Sequence, residues 1–467
     1  MERQDVINTQ GRYIVHSNAE RQKMLESMGM AAMDDLYKHV PQHVRLSGLL
    51  QLPTALSDPE LEAHIRALAG NNQTLYTYQS FLGAGVYEHH VPAVVDAIAE
   101  RGEFLTAYTP YQPEMSQGLL QVLAEYQEYI SALVALPVVN CSCYDGSTAL
   151  ADAIWMSCQN KSTGDRVIVL SDTIWAQTQK IVETYFTGRP VKLVTIPADD
   201  DNGLIDLSHL EKLFIETAPE SFAFQSPNCY GLLEDTQSIV ELCKKYNVTS
   251  ILHYHPFLSG LFVPPGQLGV DIVCGEGQML GIPLSGGGAS LGYLACTEPF
   301  KRFLPGRLVG VVEDIFGNPA YALVNEEREQ HVARERATSN ICSNQALCAL
   351  RATVYIASLG NTGLQNLARL NADRGHFFCR LLESIDGVER VYKAAFFNEF
   401  VIKLPCASDA LLSALLEQKI YGGVALTRNG VDNNLLIAVT EVKSRADLVK
   451  AATAFRVAIE LLVKGEP

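Results

Sequence analysis

Five short apolar runs set the strongest limit on how this chain folds: RVIVL at 166–170, VKLVTI at 191–196, SFAFQ at 221–225, TSILHY at 249–254 and DIVC at 271–274. Each has strand length and lacks polar alternation, the pattern of a strand buried on both faces. Amphipathic stretches such as Asp206 to Ala218 and Glu234 to Tyr246 separate several of them. Strand, helix and strand in that order require right-handed crossovers and a mostly parallel sheet, hence an α/β fold. Ligands of such sheets bind at the carboxyl ends of the strands.

With 467 residues the chain has room for two or three structural units. Residues 1–72 read as a helical arm. Ser17 and Glu20 have capping-box spacing, a short helix fits Met33 to His39, and Ser57-Asp58-Pro59 opens a third with Leu61, Ile65 and Leu68 on one face. The arm either wraps another subunit or the main body, or packs as a simple cap. A large α/β domain is expected over 73–330. A small C-terminal α/β domain, with strands FVIKLP and NLLIAVT, is expected over 331–467.

The 36 basic and 52 acidic side chains give a net charge of −16. That much like charge argues against nucleic acid or an anionic membrane as partner. No run approaches the ~20 apolar residues that span a bilayer, and MERQDVINTQGRY is too charged for a secretory signal. A cytoplasmic protein is expected. Among the eleven cysteines only Cys141 and Cys143 are close, and no second pair answers them at zinc-site spacing. Scattered thiols and no metal are expected.

Three stretches are candidates for a site. In Thr106 to Pro113, two prolines exclude helix and central strand, so Tyr108, Thr109, Tyr111 and Gln112 belong to a rigid loop. Such a loop either lines a site or crosses the surface with its aromatics merely packed. Gly146, Ser147 and Thr148 open an apolar helix. They either cradle a phosphate with free N–H groups or form an ordinary N-cap. Further on, the charged run Glu329 to Gln345 carries Arg334, Arg336, Thr338, Ser339 and Asn340. These face either a carboxylate or a partner, or form a solvated helix face ending in a cap.

The segment Asp271 to Gly292, DIVCGEGQMLGIPLSGGGASLG, is informative for a residue it lacks. An α/β enzyme working through pyridoxal phosphate carries a lysine after a late strand, because an amine must hold the aldehyde. Gln278 stands at that place, and there is no lysine between Lys245 and Lys301. A chain with such an architecture is then a partner or relic of an enzyme, without independent chemistry.

The segments SFLGAGVYEHHVPAVVDAI, EFLTAYTPYQPEMSQGLLQVLAEYQ, YDGSTALADA, SPNCYGLLED, PPGQLGVDIVCGEGQMLGIPLSGGGASLGYLA, LPGRLVG and REQHVARERATSNICSNQALCALRATVYIASLG run in order across nearly the whole chain. In them the chain resembles the subunit 1 family of glycine dehydrogenase (decarboxylating), the α chains of the two-chain P-protein of the glycine cleavage system. The resemblance implies a fold-type-I pyridoxal-phosphate architecture. It also implies a partner, subunit 2 (the β chain), that holds the cofactor on its own lysine, in an α2β2 heterotetramer. Together the two chains would decarboxylate glycine and pass the aminomethyl group to the lipoyl arm of H-protein.

Under that resemblance the cofactor positions in this chain are vestigial. Gly146, Ser147 and Thr148 stand at the phosphate, and His255 stands where an aspartate would keep the ring nitrogen protonated. Trp175 stands at the ring-stacking place, where it either stacks or fills an empty cavity, and Gln278 replaces the lysine. With His253 and the GGGAS turn, these departures mark a diverged member. Tyr108, Thr109, Tyr111 and Gln112 are expected to reach the partner's site. The alternatives are a free-standing pyridoxal enzyme using a lysine elsewhere, and a non-catalytic binding or regulatory protein on this fold.

Overall fold

The computed structural model describes residues 15–46, 50–159, 166–428 and 431–465, without the side chains of 427, 428, 431 and 432. The charged stretch MERQDVINTQGRY lies outside the described residues. Two compact units are present, Met1–Gln73 and Thr74–Pro467.

The first unit is helical. Helix α1 (Asn18–Ser27) starts at a capping box in which Glu20 N donates to Ser17 Oγ at 3.2 Å and Ser17 N to Glu20 Oε2 at 2.7 Å. A 3-10 turn covers Met33–Tyr37, and α2 (Asp58–Ala69) begins after Ser57 with Pro59 in its first turn.

The second unit is built on a seven-stranded sheet. Its strands are β1 (Val138–Val139), β2 (Arg166–Ser171), β3 (Val191–Ile196), β4 (Ser221–Ser226), β5 (Thr249–Tyr254), β6 (Ile272–Glu276) and β7 (Gly292–Cys296), in the order β1-β7-β6-β5-β4-β2-β3. The five apolar runs form the parallel part, β2 to β6, and β7 and β1 close one edge antiparallel. Strand β4 is buried at all six positions, as its unbroken apolar run requires. Helices α3 (Gln117–Val134), α4 (Gly146–Cys158), α5 (Ala176–Phe186), α6 (Leu207–Thr217) and α7 (Thr236–Lys245) connect or flank these strands. One core cluster joins α3, α6 and α7 to Phe222, Phe224 and Val273. A second joins α4 and α5 to Ile168, Ala223 and Ile272. Successive residues of β4 alternate between the two clusters, so both faces are covered.

Between β2 and β4 the strand order reverses, which opens a crevice at their carboxyl ends. A hairpin of β8 (Leu308–Glu313) and β9 (Pro319–Val324) follows the main sheet. The long helix α8 (Ala346–Glu383) then breaks its helical dihedrals at Gly360, φ 59°. Beyond it a four-stranded antiparallel sheet forms from β10 (Glu389–Arg390), β11 (Glu399–Lys403), β12 (Val424–Arg428) and β13 (Val431–Ala438), backed by α9 (Ser408–Glu417) and α10 (Arg445–Lys464).

Candidate functional site

The crevice at the strand ends is nearly closed. A cavity of about 30 Å³ is left, lined in part by Tyr87, Trp175, Gln225, His253, His255 and Glu276. That is room for a water molecule, against the ~300 Å³ and more of ordinary ligand sites.

Each cofactor position expected from the sequence is used internally. Gln278 is buried just past β6. Its Nε2 donates to Ile282 O at 2.8 Å and its Oε1 accepts from Tyr87 N at 3.3 Å. His255 is buried beyond β5. Its Nδ1 accepts from Phe257 N at 3.2 Å, and burial first, then the nearby His89, push its imidazole down to about 3. Burial likewise pushes His253 down to about 4. A neutral imidazole cannot supply the negative charge a pyridinium requires.

Trp175 is half-buried, with its backbone N–H donating to Gln225 Oε1 at 3.3 Å. Its ring lies against Gly85, where a Cβ would meet Nε1 at 3.1 Å, and the φ of +93° also favours glycine. Of its two readings the filler is the one this packing favours.

The start of α4 corrects one expectation. Its N-cap is Asp145, whose Oδ1 accepts from Thr148 N at 2.8 Å, rather than a Ser or Thr hydroxyl. Ser147 Oγ is paired with Thr178 Oγ1 at 2.8 Å, and Gly146 N donates to Glu276 Oε2 at 3.0 Å. Pyridoxal phosphate does not fit the residues present: there is no amine, no ring carboxylate, no volume and no free cradle.

A strap from Gly83 to His90 closes the crevice. Tyr87 OH donates to Glu399 Oε2 at 2.5 Å, and Ala84 N donates to Glu399 Oε1 at 2.7 Å. Glu399 is 2% exposed, and burial pushes its carboxyl up to about 7. Beside it, His89 Nδ1 lies 2.8 Å from Glu441 Oε2, and Lys443 Nζ lies 2.6 Å from Glu88 Oε2.

The loop Thr106 to Pro113 is different. It is irregular, as its prolines require, and it exposes Tyr108 by 76% and Tyr111 by 52%. Tyr108 OH pairs with Ser343 Oγ at 2.8 Å. Arg307, 1% exposed, donates through Nη2 to Cys342 O at 2.6 Å and to Tyr111 OH at 3.4 Å, and through Nη1 to Ser343 O at 3.2 Å. Its guanidinium also lies 5.3 Å from the Tyr111 ring centroid. Thr109 and Gln112 are not drawn into this cluster: Tyr111 N donates to the Thr109 carbonyl and Met115 N to that of Gln112.

The charged run 329–345 is not a solvated helix face. Only Gln330–Ala333 is helical, a 3-10 turn follows over Arg334–Arg336, and Gln345 caps α8 without a side-chain bond. Arg334, Thr338, Ser339 and Asn340 line a second cavity of about 550 Å³ with Asp152, Trp155 and Arg189. Sequence reasoning missed Arg307, Glu276 and Glu399, although the first two lie inside the quoted LPGRLVG and GEGQ motifs. Among the described residues no group of three His, Cys, Asp or Glu is placed to hold a metal. No helix among them is long and apolar enough to cross a membrane.

The family model for the glycine cleavage system P-protein matches residues 11–455. The chain belongs to the glycine cleavage system P-protein family. A relative from Desulfitobacterium hafniense, named "Probable glycine dehydrogenase (decarboxylating) subunit 1", is 39% identical to this P-protein family chain over 438 residues, 93% of this chain and 97% of the relative. A relative of the same name from Moorella thermoacetica is 40% identical over 446 residues, 95% and 99% of the two chains. A crystal structure of glycine decarboxylase (P-protein) of the glycine cleavage system, in inhibitor-bound form, superposes with a TM-score of 0.85. It is 36% identical and covers 96% of this chain and 99% of that one. The P-protein fold expected from the sequence, that of fold-type-I pyridoxal enzymes, is the fold found.

Proposed function

We propose that this chain is the lysine-free subunit 1 of a heteromeric glycine decarboxylase in the cytoplasm, paired with a lysine-bearing subunit 2 in an α2β2 assembly. The pair, a glycine dehydrogenase (aminomethyl-transferring), decarboxylates glycine and passes the aminomethyl group to the lipoyl arm of H-protein. Pyridoxal phosphate, held by subunit 2, supplies the electron sink. The observation that carries this reading is the filled crevice in a chain of this family: the amide of Gln278 is spent on Tyr87 and Ile282, so no group here captures an aldehyde.

The contribution of this chain is then made across an interface. Tyr108 and Tyr111, with their neighbours Thr109 and Gln112, present phenols and an amide from a loop held by Arg307 and Ser343. The buried Arg307 guanidinium fixes segment 342–343 through two carbonyls, and the loop rests on that base through Tyr108 and Tyr111, which lowers the ordering cost of association. Co-expression with a candidate subunit 2 tests the reading. Glycine–bicarbonate exchange should require both chains. Exchange by this chain alone, or a borohydride-trapped lysine adduct on it, would overturn the proposal.

A further inference from the structure

Among the groups that fill the crevice, Glu276 is one that the missing lysine does not account for. It ends β6 and is partly buried, with its carboxylate between three donors. Gly146 N, at the first turn of α4, donates to Oε2 at 3.0 Å. Gln278 N donates to Oε1 at 3.0 Å, and Ser290 Oγ donates to the same oxygen from the far end of the glycine-rich turn. A thirteen-residue helix directs its positive end to this spot, at the carboxyl ends of parallel strands. That is the place and the donor set that bind external phosphates in other α/β proteins.

The remaining donors are also spent, Thr148 N on Asp145 and Ser147 Oγ on Thr178. Nor is there a gap to enter. A Cβ on Gly146 would meet Glu276 N at 2.6 Å and Glu276 Cα at 2.9 Å, so helix start and strand backbone are in contact.

We propose that Glu276 is a built-in anion standing where a phosphate would bind, so that this chain excludes phosphorylated cofactors non-covalently as well as lacking the amine to hold one. The same carboxylate ties the start of α4 to the turn 277–290, giving the crevice a structural use. This deepens the proposed role of a cofactor-free subunit and rests on that reading only for what the crevice is called. It needs no partner chain for its test.

The test uses the purified full-length chain, with inorganic phosphate as probe and chloride at matched ionic strength as control. Wild type should show no phosphate-dependent rise in unfolding temperature. Glu276→Ala should unfold at lower temperature, and millimolar phosphate, but not chloride, should restore part of the loss. Glu276→Gln, which keeps the volume but sets an NH2 group among donors, should also unfold earlier and should not respond to phosphate. A phosphate response in wild type equal to that of Glu276→Ala overturns the proposal, as does no response in either. Should Glu276→Ala fail to fold, a Glu276→Gln chain that unfolds at the wild-type temperature overturns it. None of these results depends on glycine–bicarbonate exchange, so failure here and failure of the subunit assignment are separable.

Discussion

The filled crevice and the Arg307 face belong to one unit and have opposite character. In the crevice, most polar groups point inward onto one another, Gln278 with Tyr87 and Ile282, Glu276 with Gly146 and Glu399 with Tyr87, while His255 Nε2 is buried without a partner. On the face, buried Arg307 holds Tyr111 and Ser343 holds Tyr108, with the two tyrosines half to three-quarters exposed. The two regions are linked, because Cys342 N donates to Tyr144 OH at 3.0 Å, one residue before the Asp145 cap of α4. The elements around the crevice thus form the base that carries this surface.

The largest effect that would break this contrast is expected at Arg307. Arg307→Ala leaves the carbonyls of 342 and 343 without their buried cation and removes one of the two arginines near Glu329, and loss of ~3–5 kcal/mol is expected by chemical denaturation. The exchange activity of the two-chain complex should fall with it. Retained stability and activity would mean that the face does not depend on this residue.

Next in size is a pH effect in the crevice. An unfolded glutamate ionises near 4.5, whereas Glu399 in the fold is held up to about 7. As pH rises through that window the unfolded chain releases its proton first, so Glu399 lowers stability progressively and stops doing so above about 7. The stability of wild type relative to Glu399→Gln should therefore fall by up to ~3 kcal/mol from acid to neutral pH. Parallel pH profiles for the two chains would contradict the burial that holds this carboxyl up.

Tyr108→Phe and Tyr111→Phe should each cost no more than ~1 kcal/mol of stability. Both should leave assembly with subunit 2 intact and slow glycine–bicarbonate exchange. Unchanged turnover in both variants would remove the loop from the proposed role. The smallest effect is expected from Gln278→Lys. A lysine at this buried position, with a cavity of only about 30 Å³ nearby, should yield no borohydride-trapped cofactor adduct and no activity in the isolated chain. An adduct would show that the crevice opens more readily than its packing implies.

Much of this was legible before any coordinates. All five apolar runs became strands, and Ser17 with Glu20 capped α1. The prolines of 106–113 produced the irregular loop with its exposed phenols. The charged run 329–345 misled, since its composition fits a helix face. Buried Arg307 and Arg328, bound to backbone carbonyls, instead hold it in turns. Local propensity gave way there to tertiary hydrogen bonds.

By itself the sequence determined the parallel sheet, the irregular loop and the absence of an amine, because each depends on residue type and local spacing. Only the tertiary structure decided what takes the place of the missing chemistry. Glu276 meets Gly146 across 130 residues of chain, and Tyr87 meets Glu399 across 312. Periodicity along a chain carries no information about which distant carboxylate a helix start or a buried phenol will find. That is settled when strands and helices pack and every buried donor must be matched.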